Sequence, residues 1–164
     1  MRCTIITGAR DAGKTRTAAA LAARLRTAGN RVGGVISEAM LEDGVKTGYS
    51  YRDLLTGSRE EYARRKQHPV PPGTPAFNFL DRGMAFGSQA LRSAVAAGVD
   101  ALFIDEIGPL EMAGKGLWTT ILELLSTFKG LLILTVRPGL VDQVCALVEP
   151  FAASLQMVDA ETGP

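Results

Sequence analysis

Short all-apolar runs alternate along this chain with longer stretches whose apolar residues recur every three or four positions. Residues 3–7 form a β-branched run that stops at Gly8, the pattern of a strand buried on both faces. From about Gly13 an alanine-rich segment sets Ala18, Leu21, Ala22 and Leu25 on one helical face and ends at Gly29. Residues 31–40 read as a second strand. Residues 45–52 read as its antiparallel partner, across a turn where Asp43-Gly44 is a hairpin signal.

The middle of the chain is less regular. Residues 59–66 pair Glu60 with Arg64 and Glu61 with Arg65 at helical spacing, which predicts a charged, solvated helix. Pro69, Pro71, Pro72 and Pro75 make residues 66–75 a loop, with the lone His68 exposed on it. Residues 76–80 suggest a strand and residues 83–97 a helix. The clearest strand is 101–105, and it is followed by Leu117, Trp118, Ile121, Leu122, Leu125 and Phe128 at helical spacing, a core stripe. Residues 131–136 form another apolar strand, 140–148 another helix, and 154–158 a last strand. Strands separated by helices, apolar throughout instead of alternating, predict an α/β fold: a mostly parallel sheet covered on both faces, three layers deep, with a β-hairpin addition. No internal repeat or linker divides the chain, so residues 1–164 read as one domain.

Composition narrows the partners. Lys plus Arg number 18 against 17 Asp plus Glu, so no long-range field gathers nucleic acid onto the surface. No run approaches the ~20 apolar residues of a membrane span, and the apolar start is too short for a signal peptide. Cys3 and Cys145 both sit in apolar settings and read as buried, reduced thiols. The expectation is a cytoplasmic protein without nucleic-acid or membrane partners.

The candidate chemistry lies in two strings. Gly8-Ala9-Arg10-Asp11-Ala12-Gly13-Lys14-Thr15 satisfies G-x-x-x-x-G-K-[ST], and it stands between a strand and a helix as that motif requires. Glycines let successive backbone N–H groups turn toward phosphate oxygens, and the helix beginning near Gly13 adds its positive end. Lys14 is expected on the β- and γ-phosphates and the Thr15 hydroxyl on Mg²⁺. The nucleotide-binding set is therefore Gly8, Ala9, Arg10, Asp11, Ala12, Gly13, Lys14, Thr15 and the adjacent Arg16. Asp11 stands where glycine is commoner; a carboxylate inside a phosphate nest repels the ligand, so its side chain is expected to point outward, with Arg10 beside it.

The second string, Phe103-Ile104-Asp105-Glu106, is an apolar strand ending in two carboxylates. Neighbours on a strand face opposite ways, but where the strand ends both can face one crevice. Asp105 is the candidate for Mg²⁺, through water, and Glu106 for the base that activates the attacking water. Thr135 and Arg137, at the end of the 131–136 strand, are candidate γ-phosphate sensors, with a structural role equally open. Asp105-Glu106-Ile107-Gly108 also fits the D-x-x-G of GTPases, yet no N-K-x-D guanine motif follows. Room for water beside the γ-phosphate predicts a further strand, 131–136, between the 3–7 and 101–105 strands. Gly108-Pro109 ends the acidic strand, and Glu111 is placed to brace the turn.

On these residues the chain resembles the small P-loop nucleoside-triphosphatase family of the cancer-related nucleoside triphosphatase type. The resemblance also rests on Val32-Gly33-Gly34-Val35-Ile36-Ser37-Glu38, on Gly48-Tyr49, Asp53-Leu54 and Thr56-Gly57, and above all on the run from Ile104 to Glu111. It implies a RecA-like sheet of the additional-strand class and slow, base-tolerant, Mg²⁺-dependent hydrolysis of nucleoside triphosphates. By matching position it assigns Lys14 and Thr15 to phosphate and metal, Asp105 to metal and Glu106 to base. Two other activities stay open: a nucleotide-kinase-type phosphotransferase, and a nucleotide-binding adaptor of the molybdenum-cofactor type with little turnover.

Overall fold

The computed structural model describes residues 1–68, 71, 74 and 76–161. Strand β1 is Arg2–Thr7, helix α1 Lys14–Thr27, and strands β2 to β5 are Val32–Glu42, Val45–Asp53, Arg59–Arg65 and Phe77–Phe79. Helix α2, Asp81–Ala96, leads into β6, Ala101–Ile107. A one-turn helix α3, Pro109–Met112, and helix α4, Trp118–Thr127, precede β7, Leu131–Val136. Helix α5, Val141–Val148, and strand β8, Ser154–Asp159, close the chain.

One eight-stranded sheet runs in the order β5-β4-β3-β2-β6-β7-β1-β8. From β2 to β8 every neighbouring pair is parallel, and β3, β4 and β5 extend the sheet as antiparallel strands. β7 lies between β1 and β6, so the expected inserted strand is present. Alternate residues of the central strands feed two cores: Ile5, Leu102, Ile104, Leu132 and Leu134 pack toward α2, α4 and α5, while Ile6, Phe103 and Ile133 pack toward α1. That double burial is why these strands are apolar throughout. β2 and β6 approach so closely at Gly34 (φ 99°) that a Cβ there would run into the Phe103 backbone carbonyl. Glycine alone fits.

The segment read as a charged helix is strand β4. It pairs antiparallel with β3, and the register shifts between Tyr49 and Ser50, opposite Tyr62. Tyr62 and Ala63 are buried, and Tyr62 stacks on Tyr51 with ring centroids 3.8 Å apart. Glu61, also buried, is held by Arg64 at 2.5 Å instead of by Arg65. Glu–Arg spacing of three or four residues suits a helix, but partners on β3 and α2 decide the conformation. The expected solvated face is thus half interior. The antiparallel addition consequently has three strands beyond β2 instead of one.

The proline-rich loop falls partly outside the described residues; His68 is exposed, as expected. Among the described residues no helix is long and apolar enough to cross a membrane. Cys3 is buried and Cys145 half-buried, and both are free thiols. Burial pushes the Cys3 thiol up to about 12.

Candidate nucleotide site

The loop from Gly8 to Gly13 joins β1 to α1, and three of its residues have positive φ: Gly8 at 152°, Asp11 at 62° and Gly13 at 90°. Aspartate is among the few side chains that accept the left-handed region. Asp11 turns outward with a side chain 75 % exposed, 3.6 Å from Lys46 and 3.9 Å from Arg10. Lys14 Nζ donates to the carbonyls of Gly8 at 2.8 Å and Ala9 at 2.7 Å, so its ammonium lies over the mouth of the loop. The Arg16 guanidinium packs over Gly13, where a Cβ would stand 2.9 Å from Nη2. Loop, lysine and α1 terminus form one end of a cavity of about 440 Å³.

Glu106 lines the facing wall, and the neighbouring Asp105 reaches the Thr15 hydroxyl. The β6–β7 register shifts between Ile104 and Ile107, and Glu106 takes φ 70°. This bulge breaks the up-down alternation of the strand and turns two successive carboxylates toward the same side. Asp105 is buried. Its Oδ1 accepts from Thr135 Oγ1 at 2.5 Å and its Oδ2 from the Ser37 backbone N–H at 2.9 Å. Burial pushes this carboxyl up to about 6, opposed by the hydrogen bonds from Thr135, Ser37 and the Thr15 hydroxyl.

Glu106 is more open. Its Oε1 is 2.8 Å from Arg137 Nη2, while among the described residues Oε2 has only long contacts, to Ser37 Oγ at 3.4 Å and Tyr62 Oη at 3.5 Å. Its backbone N–H donates to Thr135 Oγ1 at 2.7 Å. Thr135 therefore links the Asp105 carboxylate to the Glu106 backbone: its single proton goes to Asp105 and its oxygen accepts from the Glu106 N–H. Arg137 lies on Glu106. Glu111 braces the turn after β6, accepting from the N–H groups of Gly108 at 3.1 Å and Leu117 at 3.4 Å.

The candidates from sequence thus gather at the loop, the first turn of α1 and the carboxyl ends of β6 and β7. Three contributors were not foreseen. Ser37 lies on β2 and supplies a backbone donor to Asp105; it stood inside a string used for the family resemblance, but no motif marks its role. Lys46 reaches the loop from the β2–β3 hairpin, and nothing local signals that. Tyr62 sits on the strand misread as a helix.

Fold and site together define a P-loop nucleotide-binding protein with a strand inserted between the loop strand and the acidic strand. Residues 3–153 match the family described as NTPase, and the chain belongs to that family. It is 31 % identical over 128 residues to the nucleoside-triphosphatase THEP1 of Methanosarcina acetivorans, covering 77 % of this chain and 71 % of that protein. Against THEP1 of Thermococcus kodakarensis the identity is 29 % over 161 residues, covering 96 % and 88 %. Among solved structures, a human cancer-related nucleoside triphosphatase superposes with TM-score 0.73 at 21 % identity, covering 97 % of this chain and 88 % of that one. THEP1 from Aquifex aeolicus superposes with TM-score 0.70 at 17 % identity, covering 96 % and 89 %. These two likenesses concern the fold.

Proposed function

We propose that this protein hydrolyses nucleoside triphosphates to the diphosphate and phosphate with Mg²⁺, slowly and with little regard for the base. One observation carries the reading: the bulge at Asp105 and Glu106 sets a buried carboxylate against the Thr15 hydroxyl and an accessible one on the wall of the cavity that Lys14 and Thr15 line. The naming of the relatives as nucleoside triphosphatases supports it.

The donor set suits Mg²⁺, a hard cation that takes one or two protein oxygens and completes its shell with phosphates and water. The Thr15 hydroxyl and the Asp105 carboxylate would hold it. Among the described residues no group of three or more His, Cys, Asp or Glu side chains gathers, so a site for a softer, fully protein-bound metal is not in competition. When bound, the ion supplies charge neutralisation on the phosphates. The chain's own residues do the rest. Lys14 leaves the Gly8 and Ala9 carbonyls for the β- and γ-phosphate oxygens. Glu106, fixed through Oε1 by Arg137, keeps Oε2 lightly held, and that oxygen takes the proton of the attacking water. Thr135 holds the Asp105 carboxylate and the Glu106 backbone in place.

Base tolerance follows from where the binding energy lies: phosphates and metal are common to all four nucleotides, and no guanine-reading motif is present. The reduced thiols and balanced charge suit a cytoplasmic protein that does not bind nucleic acid. The test is phosphate release from ATP, GTP, CTP and UTP, with Mg²⁺ and with EDTA. We expect turnover of all four, lost in EDTA, with base preferences under about a hundredfold, or about 2.7 kcal/mol. A stronger preference, or binding without phosphate release, contradicts the reading.

A further inference from the structure

A second cavity of about 580 Å³ adjoins the first. The two share Arg10, Tyr49, Glu106 and Arg137, so Glu106 stands in the partition between them. Phosphate chemistry does not account for its walls. Tyr49 and Phe77 meet edge to face with centroids 5.2 Å apart, and Tyr51 and Tyr62, stacked at 3.8 Å, continue the aromatic surface. Tyr49 carries Lys46 Nζ over its ring, 5.3 Å from the centroid, while Phe77 is only half-buried and Phe79 is 45 % exposed, so ring surface of these two remains open to a ligand.

The same cavity carries cations: Arg10, Lys115 and Arg137 line it. Of its two carboxylates, Glu111 is taken up by the backbone of Gly108 and Leu117, and Glu106 Oε1 by Arg137. Among the described residues, Arg10 is tied only to the exposed Asp11, at 3.9 Å. Lys115 is exposed. An aromatic wall beside guanidinium and ammonium groups fits one chemistry, a planar ring that carries a phosphate. Stacking a base on an aromatic side chain contributes about 1–3 kcal/mol, and arginine pairs with phosphate through two parallel hydrogen bonds. The volume is within the range of about 300–1,000 Å³ usual for small-molecule sites.

We propose that this cavity is a second-ligand site that takes a nucleoside monophosphate alongside the triphosphate. The base lies against Phe77 and Phe79, and the phosphate is met by Arg10 and Lys115. Because Glu106 borders both cavities, the occupied second cavity crowds the oxygen that receives the water's proton, and phosphate release slows. That effect on turnover rests on the hydrolase reading of Glu106; the binding itself does not.

The experiment titrates adenosine 5′-monophosphate calorimetrically into protein saturated with Mg²⁺ and a non-hydrolysable ATP analogue. One monophosphate is expected to bind per chain with the triphosphate site filled. Adenosine lacking the phosphate should bind at least tenfold more weakly. Phe77→Ala, and independently the surface change Lys115→Glu, should each weaken the monophosphate at least tenfold and leave affinity for the analogue within twofold. If the analogue abolishes monophosphate binding, that ligand was occupying the phosphate loop and the second site does not exist. Indifference to both variants overturns the proposal equally. Unchanged phosphate release with the monophosphate bound would instead contradict the role given to Glu106.

Discussion

Thr135 donates its hydroxyl proton to Asp105 across 2.5 Å while both side chains are buried. The same oxygen accepts the Glu106 N–H at 2.7 Å, so one hydroxyl from the inserted strand sets the position of both acidic residues. Thr135 is thus a positioning residue for the metal carboxylate and the base.

Thr135→Val keeps the shape and removes that link. A buried carboxylate oxygen and a backbone N–H lose their partner, at a cost of about 1–3 kcal/mol in stability. Turnover should fall further than triphosphate affinity, and Thr135→Ser should restore most of both. Thermal unfolding together with kcat and KM for the two variants provides the check. Equal loss in the Ser and Val variants would make Thr135 a packing residue only.

Asp105 makes stability depend on pH in a defined direction. Its carboxyl is pushed from an ordinary 3.8 up to about 6 in the nucleotide-free fold. The folded state therefore holds the proton more tightly than the unfolded chain. Below the unfolded value both states are protonated and the group contributes nothing; between 3.8 and about 6 stability falls as pH rises, and the loss persists above. The penalty at neutral pH is on the order of 3 kcal/mol. Asp105→Asn removes it, so the Tm difference between variant and parent should grow in favour of the variant from pH 4.5 to 7.5, without nucleotide or metal. The same variant should lose Mg²⁺-dependent triphosphate binding. A Tm difference that does not change with pH would refute this account of Asp105.

Among the described residues, the Lys14 ammonium hydrogen-bonds only to loop carbonyls in the nucleotide-free fold. Lys14→Ala should therefore leave the unfolding midpoint within a degree or two while weakening triphosphate binding and abolishing turnover. Hydrolysis at the parent's rate by Lys14→Ala would show that the loop does not bind the phosphates.

Several parts of this site were legible because their cause is local. The Gly8–Thr15 spacing determines a loop whatever surrounds it, and double burial makes β1, β6 and β7 apolar enough to read directly. β4 was not legible, since Glu60, Glu61, Arg64 and Arg65 fit two periodicities and only Tyr51, Tyr62 and α2 choose between them. The bulge at Glu106 is equally hidden: a non-glycine residue at φ 70° carries no signature of its own, and the strained turn is held by Thr135, 29 residues away. Lys46 reaches Asp11 only because the hairpin folds back over the loop, a contact that no spacing along the chain encodes.

Glu106→Gln tests the central claim most directly. Glutamine preserves shape and hydrogen-bonding reach but takes no proton. Because Lys14, Thr15 and Asp105 are untouched, ATP and Mg²⁺ should bind within a few-fold of the parent. Single-turnover cleavage should fall by about 10²–10⁴, the range of general-base catalysis, leaving a variant that holds ATP uncleaved. Cleavage near the parent rate would remove Glu106 from the chemistry, and a loss of binding in place of cleavage would make it part of the metal site.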